Sequence, residues 1–397
     1  MQSSTKVSKS FLIINHYAGA PKYGPEFRHF EIAKELVNNS CEVCIVAASF
    51  THLRDSPNVK EEFIDGVKFI WIKCPKYKSY GFKRFLNMFI FSFNLFLRKK
   101  YLNFRPDFII VSSPSPFPIL NALYLKFKYN AKLIYEIRDI WPLSIIELKG
   151  YSKNNLIIKL LSKLDEIGIK YSDVIMSPLS NIGLYIKEKG FKKKIIILPN
   201  GISSNSEESI IKNNTQDKFF TVGYGGSLSD TNSIMNLISA AIKLKNNSTI
   251  QFKIIGFGEK ENEIKEIIKS KNLKNINLIG RTSKDKLLIL LRQCDVLYKG
   301  NPRVNIYKYG ISSIKLAEYL FLKKPIIDAS YGVNIIEKSN SGIVVEHEDS
   351  EKLMEGILTM SRMNDQDLEK MAINGYNYAL ENFLYEKTVA NMMNNLN

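Results

Sequence analysis

Short apolar runs alternate with segments of helical periodicity along the first half of the chain. Between Phe11 and Leu198 the runs read FLIIN, EVCIVAA, VKFIWI, DFIIVSS, KLIYEI, DVIMS and IIILP, and helical stretches such as Glu26–Val37 separate several of them. Short runs that stay apolar throughout are typical of strands buried on both faces. The pattern therefore predicts a parallel α/β sheet covered by helices.

The alternation stops after a turn and then resumes. Pro199-Asn200-Gly201 leads into the polar stretch SSNSEESIIKNNTQDK, and from Phe219 the runs read FTVGYGG, FKIIGFG, INLIG, DVLYKG, PIIDAS and GIVV. The 397 residues exceed the roughly 250–300 that one core usually holds. We predict two Rossmann-like, doubly wound parallel-sheet domains facing across a cleft, at residues 1–200 and 219–375. Residues 201–218 would form a linker, and a helix at 376–397 can pack back on the first domain.

One segment departs from this alternation. Tyr80–Tyr101, YGFKRFLNMFIFSFNLFLRKKY, has a phenylalanine- and leucine-rich centre of about 13 residues, whereas a bilayer needs roughly 20. On a helical projection its polar residues form one narrow stripe, so the helix is either buried on most sides or lies in a membrane interface. We favour membrane contact, through Lys83, Arg84, Phe89, Phe93, Phe96 and Arg98.

The chain carries a formal net charge of +17, which raises the expectation of an anionic partner. Its composition is rich in lysine, isoleucine and asparagine, so many of these lysines can equally be solvated surface. No zinc-finger spacing and no Arg/Gly-rich tail favours nucleic acid, and we predict no nucleic-acid partner. An anionic membrane leaflet would give the excess charge a use.

The cysteines and the N-terminus bear on the compartment. Cys41 and Cys44 form a CxxC, but no second CxxC or histidine pair completes a zinc site, so we predict that these two, Cys74 and Cys294 are reduced and structural. The opening MQSSTKVSKS has no apolar signal core. We expect a cytoplasmic protein, attached peripherally to the inner face of the cytoplasmic membrane.

A glycine-rich loop, HYAGAPKYGP, follows the first strand and precedes a helix. Glycine allows the backbone to approach a ligand closely, but the loop is not GxGxxG, so dehydrogenase interpretations lose weight. Arg28, near the helix start, either meets a phosphate or is an ordinary surface arginine. The candidate ligand contacts here are His16, Tyr17, Gly19, Tyr23, Gly24 and Arg28.

The strand in YEIRDIWP ends in charged residues. Glu136, Arg138 and Asp139 come just before Trp141-Pro142. Charges that close an apolar strand indicate a position at the ligand-binding edge of the sheet. The alternative is an Arg–Asp pair that fixes a loop.

Strand–glycine–helix turns recur in the second half. They contain Gly226 and Ser227, then Gly258 and Lys260, and then Arg281. Such turns present backbone N–H groups to anions. Each one is a weak signal, but several at the strand ends of one sheet favour a nucleotide-diphosphate site.

The segment Tyr307–Pro325, YKYGISSIKLAEYLFLKKP, is the most informative. Ser312 and Ser313 can cap a helix beginning near residue 314, Lys315 adds a full charge to the positive helix end, and Glu318 shares its face. A diphosphate fits such a site, with the carboxylate facing sugar hydroxyls. The alternative is a capped helix with an ordinary i,i+3 ion pair. The DQD at 365–367 suits a helix start, and we expect no metal site there.

Taken together, these motifs resemble glycosyltransferase family 4, the retaining transferases with the GT-B fold, over nearly the whole chain. The likeness is strongest to bacterial O-antigen, lipopolysaccharide and capsule enzymes, including N-acetylfucosaminyl-type transferases. It rests on HYAGAPKYGPEFR, YEIRDIWP, LPNG, YGGSLSDTNSIMNL, IIGFGEK and YKYGISSIKLAEYLFLKKPII.

The resemblance implies transfer of an N-acetylated amino sugar from UDP to a polyprenyl-diphosphate-linked saccharide, with no cofactor beyond the UDP-sugar co-substrate and no metal. It implies that Glu318 holds the ribose and that the donor is held by Gly226, Ser227, Gly258, Lys260, Arg281, Ser312 and Ser313. The first domain would bind the acceptor through the loop residues named above. Glu136, Arg138, Asp139 and Lys315 would be the catalytic group.

The chain departs from the family pattern in two places. Gly310 stands where the first of two glutamates is usual, and Asn232-Ser233 replaces a basic residue that often follows the glycine loop. Lys315 or Arg281 can compensate. Two alternatives stay open: a UDP-N-acetylhexosamine 2-epimerase of the same architecture, and a non-catalytic scaffold at the membrane surface.

Overall fold

The computed structural model of the chain describes residues 9–24, 27–77, 81–98, 104–204, 219–311 and 313–396. The chain divides into two compact units, Met1–Pro199 with Thr388–Asn397, and Asn200–Lys387. Each unit is an α/β domain built on one sheet. We call them the N-terminal and the C-terminal domain.

The N-terminal domain contains an eight-stranded sheet and its connecting helices. The strands are β1 (Ser10–Ile14), β2 (Glu42–Ala48), β3 (Glu61–Ile64), β4 (Val67–Ile72), β5 (Phe108–Ser112), β6 (Lys132–Glu136), β7 (Val174–Ser177) and β8 (Lys194–Ile197). The helices are α1 (Arg28–Asn38), α2 (Phe82–Arg98), α3 (Ile119–Tyr129), α4 (Leu143–Lys149), α5 (Leu156–Tyr171) and α6 (Ile182–Glu188).

This sheet has the order β3-β4-β2-β1-β5-β6-β7-β8. Its strands pair in parallel, except that β3 runs antiparallel to β4. The central strands are buried on both faces, as their unbroken apolar runs predict. The winding direction changes between β1 and β5, so the ligand-binding position expected of such a sheet lies beyond the carboxyl ends of these two strands.

The C-terminal domain contains a six-stranded, all-parallel sheet. Its strands are β9 (Phe220–Gly225), β10 (Ile250–Ile255), β11 (Ile276–Ile279), β12 (Val296–Asn301), β13 (Ile326–Ser330) and β14 (Gly342–Val344). Its helices are α7 (Ile234–Lys243), α8 (Glu261–Ser270), α9 (Lys284–Arg292), α10 (Ile314–Phe321), α11 (Ile335–Ser339), α12 (Ser350–Ser361) and α13 (Asp365–Asn382).

The second sheet has the order β11-β10-β9-β12-β13-β14. Its winding changes direction between β9 and β12, so the crevice beyond these two strands is the natural ligand site. Tyr224, Phe252 and Tyr298 are fully buried in the core beneath it. The prediction of two doubly wound parallel-sheet domains is confirmed.

The last helix, α14 (Tyr385–Leu396), begins in the C-terminal domain, and its residues from Thr388 onward belong to the N-terminal domain. There the Lys132 ammonium donates a 3.1 Å hydrogen bond to the carbonyl of Leu396. Several predicted features lie outside the described residues: Ser312, the helix start at Glu26, both ends of the segment 80–101, and the predicted linker from residue 205 onward.

Helix α2 turns its two asparagines toward its own domain and much of its apolar surface outward. Asn87 is fully buried, accepts a 2.5 Å hydrogen bond from the ring of His16 and donates to the carbonyl of Pro75. Asn94 donates to the carbonyl of Lys73. The two asparagines therefore fasten the helix to its own domain, while Phe89, Phe93 and Phe96 are exposed.

All four cysteines are buried as free thiols. No helix among the described residues combines the length and the hydropathy needed to cross a bilayer.

Candidate active site

Two glycine loops of the C-terminal domain pack backbone against backbone at the sheet edge. A Cβ on Gly256 would lie 1.8 Å from the carbonyl oxygen of Gly226, and one on Gly258 would lie 2.4 Å from that of Leu228. Gly226 and Gly256 also have φ values of 140° and 153°, which side chains rarely adopt. Gly258, which we expected to contact the donor, thus has a packing role that itself requires glycine.

Lys315, at the start of α10, reaches over the first of these loops. Its Nζ atom donates to the hydroxyl of Tyr224 at 3.1 Å and to Oδ1 of Asn232 at 3.0 Å. It also lies 4.2 Å from the centroid of the Tyr224 ring. The Tyr224 hydroxyl donates in turn to the carbonyl of Ser227 at 2.6 Å. We call Tyr224, Ser227, Asn232 and Lys315 the lysine ring.

The lysine ring sits at the change in winding between β9 and β12. Nζ of Lys315 lies 2.8 Å from the point that a Cβ on Gly226 would occupy. Burial lowers the pKa of Lys315 to about 7, the charge of Lys299 adds to this shift, and Glu318 opposes it. A cation held over a glycine at the ligand-binding edge is suited to an anionic group.

Lys299 was missed in the sequence. It is buried in β12, opposite Asp328 of β13 in the strand register, and its Nζ lies 3.2 Å from that carboxylate and 2.6 Å from Oγ of Ser330. The signal was present, since VLYKGN and PIIDAS each place one charge of opposite sign in an apolar strand. The ion pair of Lys299 and Asp328 therefore places two fixed, opposite charges in the strands next to the site.

Ser313 lies just before α10 and Glu318 lies within it, as predicted. Ser313 caps α10 by accepting from the backbone N–H of Leu316. Glu318 is mostly buried and binds Nζ of Lys284 at 2.9 Å. It does not form the i,i+3 ion pair with Lys315 that the alternative required.

Lys260 and Arg281 lie at the neighbouring turns. Lys260 is bound to Glu263 at 3.0 Å and lies 3.5 Å from Asp230, so it joins the two glycine loops through their acidic neighbours. Arg281 is exposed, and its guanidinium carbon lies 4.9 Å from the centroid of the Phe257 ring. A role for either in donor binding stays a prediction.

In the N-terminal domain Glu136 forms the centre of a buried network. Its carboxylate accepts from Nε and Nη2 of Arg28 at 3.1 and 3.0 Å, from Nε2 of His29 at 2.6 Å and from Oγ of Ser112 at 2.5 Å. Burial disfavours the ionised form, but the charges of His29 and Arg28 outweigh it and lower the pKa of Glu136. Arg28 also donates to two carbonyls of Leu198–Pro199, which fastens the end of the domain.

This placement differs from the expectation for Arg28 and Glu136. Both are buried. The Arg28 guanidinium donates hydrogen bonds to groups inside the domain and not to a phosphate of the acceptor substrate. The physical reason is that the charges of Arg28 and Glu136 are both removed from water, so each needs the other as its ion-pair partner. Arg138 and Asp139 follow Glu136 nearer the surface, and Oγ of Ser113 accepts from both backbone N–H groups. Those two remain the candidates for contact with a substrate.

The expected acceptor loop is largely buried. His16 is held by Asn87, and burial lowers its pKa to about 3, so the ring is neutral. Tyr17 accepts from Nε of Arg84 at 2.9 Å, so this half-buried arginine bonds within its own domain. Its contact with a membrane stays a prediction. Gly19 is buried beside them.

Tyr23 and Gly24 end this loop. The Tyr23 hydroxyl donates to Glu62 at 2.6 Å, and the same carboxylate accepts from Trp71. Gly24 has φ 141°, and a Cβ there would approach Arg54 at 3.1 Å. The loop is therefore tied to the domain at both ends, and its contact with an acceptor stays a prediction.

Helices α2 and α3 together expose an apolar surface. Phe89 and Phe93 are 50% and 53% exposed, and Phe127 of α3 is 72% exposed. Ring contacts join the two helices, with the centroids of Phe96 and Tyr124 6.2 Å apart. We call Leu86, Phe89, Phe93, Phe96, Leu97, Leu120, Tyr124 and Phe127 the aromatic face.

The aromatic face has basic residues at its ends. Lys83 is exposed and Arg98 half-buried at the two ends of α2, and Lys128 lies in the last turn of α3. The α3 residues of this face, in the run ILNALYLKF, were not predicted from the sequence.

Among the described residues no group of three or more His, Cys, Asp or Glu side chains is arranged to hold a metal ion.

Comparison with known proteins matches both halves of the chain to glycosyltransferase families. The family described as Glycosyltransferase Family 4 matches residues 24–206, and the family described as Glycosyl transferases group 1 matches residues 205–378. The chain is a glycosyltransferase with the GT-B fold. The two matched regions correspond to the N-terminal and C-terminal domains of this glycosyltransferase, and the lysine ring lies in the second of them.

Three proteins illustrate the relationship. The enzyme is 25% identical to an uncharacterized glycosyltransferase of Methanocaldococcus jannaschii over 55% of this chain and 59% of that protein, which is less than two thirds of its length. It is 22% identical to O-antigen chain mannosyltransferase C of Escherichia coli over 67% of this chain and 69% of that protein. The crystal structure of Anabaena HepE with UDP and glucose matches 98% of this chain and 99% of that one, with a TM-score of 0.66 and 16% identity.

Proposed function

We propose that this glycosyltransferase moves an N-acetylamino sugar, with N-acetylfucosamine as the first candidate, from a UDP-sugar to a polyprenyl-diphosphate-linked saccharide. The product would enter O-antigen or capsular polysaccharide. The lysine ring carries the proposal, because it sets a cation at the ligand-binding edge of the sheet beneath a helix start that favours phosphate. The name of the Escherichia coli relative and the nucleotide in the Anabaena structure support it.

The proposed chemistry is a transfer with retention of configuration and without a metal. The bond between the anomeric carbon and the diphosphate oxygen breaks, and an acceptor hydroxyl oxygen bonds to the same face of that carbon. The proton of this hydroxyl passes to the departing diphosphate. Lys315 and the α10 start would stabilise the charge that develops on the departing diphosphate. Glu318, held by Lys284, would bind the ribose. Arg138 and Asp139 would orient the acceptor.

Mannose is the second candidate sugar, since a relative is named a mannosyltransferase. The test is a panel of UDP- and GDP-sugars offered with polyprenyl-diphosphate-GlcNAc in detergent, with products identified by mass spectrometry and their anomeric configuration by NMR. We expect one UDP-amino sugar to be transferred with retention. Transfer only from GDP-mannose would replace the proposed donor, and an inverted product would contradict the mechanism.

We also propose that the enzyme attaches to the inner face of the cytoplasmic membrane through the aromatic face. An exposed cluster of large apolar side chains flanked by cations suits the interface of an anionic bilayer. A membrane-bound acceptor would then lie near the N-terminal domain.

Replacing Phe93 and Phe127 with glutamate should reduce binding to vesicles of phosphatidylcholine with phosphatidylglycerol at least tenfold, about 1.4 kcal/mol, because two apolar contacts become repelled charges. Flotation of the vesicles measures the effect. The matched control is Phe63→Glu, which alters an exposed phenylalanine on strand β3. Equal flotation of the double variant and the wild type would show that the face does not meet lipid.

A further inference from the structure

Asn232 is held in one orientation by its own amide. Its Nδ2 donates to the carbonyl of Ser227 at 3.2 Å and to Oγ of Ser229 at 3.0 Å. An amide nitrogen has two donors, and both are used here. Oδ1 is therefore directed at Lys315, whose ammonium it accepts at 3.0 Å.

The partners of Lys315 are both neutral. Within the described part of the chain its ammonium bonds an amide oxygen and a phenol oxygen, and it forms no ion pair with a carboxylate. Asp328 is paired with Lys299, and Glu318 with Lys284. The ammonium is thus fixed in place while its charge stays available to a bound anion.

The position of the ammonium adds a second constraint. It stands directly over Gly226, where any side chain would approach it to 2.8 Å. Contacts with the Asn232 amide, the Tyr224 ring and the bare Gly226 therefore hold the ammonium at the glycine loop.

On the basis of the proposed function, we infer that Asn232 is a positioning residue that aims Lys315 at the diphosphate of the nucleotide donor. Asn232 acts through Lys315 and contributes no charge of its own. A carboxylate at this position would hold the ammonium equally well but would neutralise it. The amide therefore positions the cation without competing with the ligand.

Burial contributes most to the lowered pKa of Lys315, the charge of Lys299 adds to it, and Glu318 opposes it. Four groups surround the ammonium. Tyr224 approaches from β9, Lys299 from β12, Glu318 from the same helix and Asn232 from the turn after the glycine loop. Only the group at 232 changes in Asn232→Asp, which keeps the size of the side chain. The substituted carboxylate should favour the protonated ammonium, so its effect on the pH profile can be separated from a loss of folding.

The test is a double-mutant cycle on UDP binding, measured by calorimetry at pH 7 with Asn232→Ala, Lys315→Ala and the double variant. We expect the first to weaken binding about fivefold and the double variant to bind within about twofold of Lys315→Ala alone, because Asn232 works only through the lysine. Losses that add would overturn the inference. The control for the variant Asn232→Asp is Asn246→Asp, which adds the same charge at an exposed turn.

A second readout is the pH dependence of UDP affinity. In the wild type, affinity should fall as the pH rises through about 7, where Lys315 loses its proton. In Asn232→Asp this fall should move upward by at least one unit while affinity at pH 7 drops about tenfold. An unmoved profile overturns the inference. If the wild type binds no nucleotide, the proposed function fails as well, whereas binding with additive losses defeats only the role of Asn232.

Discussion

Replacing Lys315 with alanine should lower turnover at least tenfold, about 1.4 kcal/mol in the activation free energy. The variant removes the cation that the lysine ring holds beside the expected diphosphate, and with it the charge that would stabilise the departing nucleotide. The measurement is kcat and kcat/KM for the donor at saturating acceptor. If kcat and kcat/KM fall by similar factors while KM changes little, the charge acts in the transition state.

The pH profile gives this prediction a sign. Because the pKa of Lys315 is lowered to about 7, the ammonium is charged below that pH and neutral above it. Wild-type kcat/KM for the donor should therefore fall as the pH rises through about 7, and the alanine variant should lack this limb. The control is Lys286→Ala, an exposed lysine of α9. Wild-type rates in Lys315→Ala would remove this residue from the site.

Replacing Arg28 with methionine should reduce the free energy of unfolding of the N-terminal domain by about 3–5 kcal/mol. The loss arises because Glu136 keeps its charge in a buried position after its permanent cationic partner is gone. Trp71 and Trp141 both lie in this domain, so tryptophan fluorescence in a urea titration reports its unfolding directly.

Two further variants separate the causes. Arg28→Met with Glu136→Gln should lose less than Arg28→Met alone, since the orphaned charge is removed as well. Lys68→Met breaks a surface pair with Glu61 and should change the free energy by less than about 1 kcal/mol. An Arg28→Met loss no larger than this control would contradict the importance of the buried pair.

The same network predicts a pH dependence. The pKa of Glu136 is lowered from its ordinary value of 4.5, so its contribution to stability is complete above about pH 4.5 and is lost as the pH falls below it. Arg28→Met should flatten this part of the stability profile.

The sheets were predictable because parallel strands buried on both faces leave unbroken apolar runs in the sequence. Strand β3 was not predicted, since EEFI is an exposed edge strand without such a run. The inward turn of Asn87 was also hidden. A helical projection shows that polar residues share a stripe, but it does not show whether that stripe meets solvent or the buried ring of His16.

The candidate site was predictable where one short segment carries it. Ser313, Lys315 and Glu318 lie within six residues, so helical geometry alone places them together. Contacts between segments that are distant in the sequence could not be predicted in this way. Lys315 meets Asn232 across 83 positions, and Arg28 meets Glu136 across 108. Only the packing of the strands and loops defines these pairs.

The most direct test of the central claim is the rate of UDP release from UDP-amino sugars, measured with and without polyprenyl-diphosphate-GlcNAc in detergent. The account predicts release from one of these donors that depends on the acceptor. Interconversion of the sugars without release would favour an epimerase, and no turnover of any nucleotide sugar would contradict the assignment of a transfer reaction to this site.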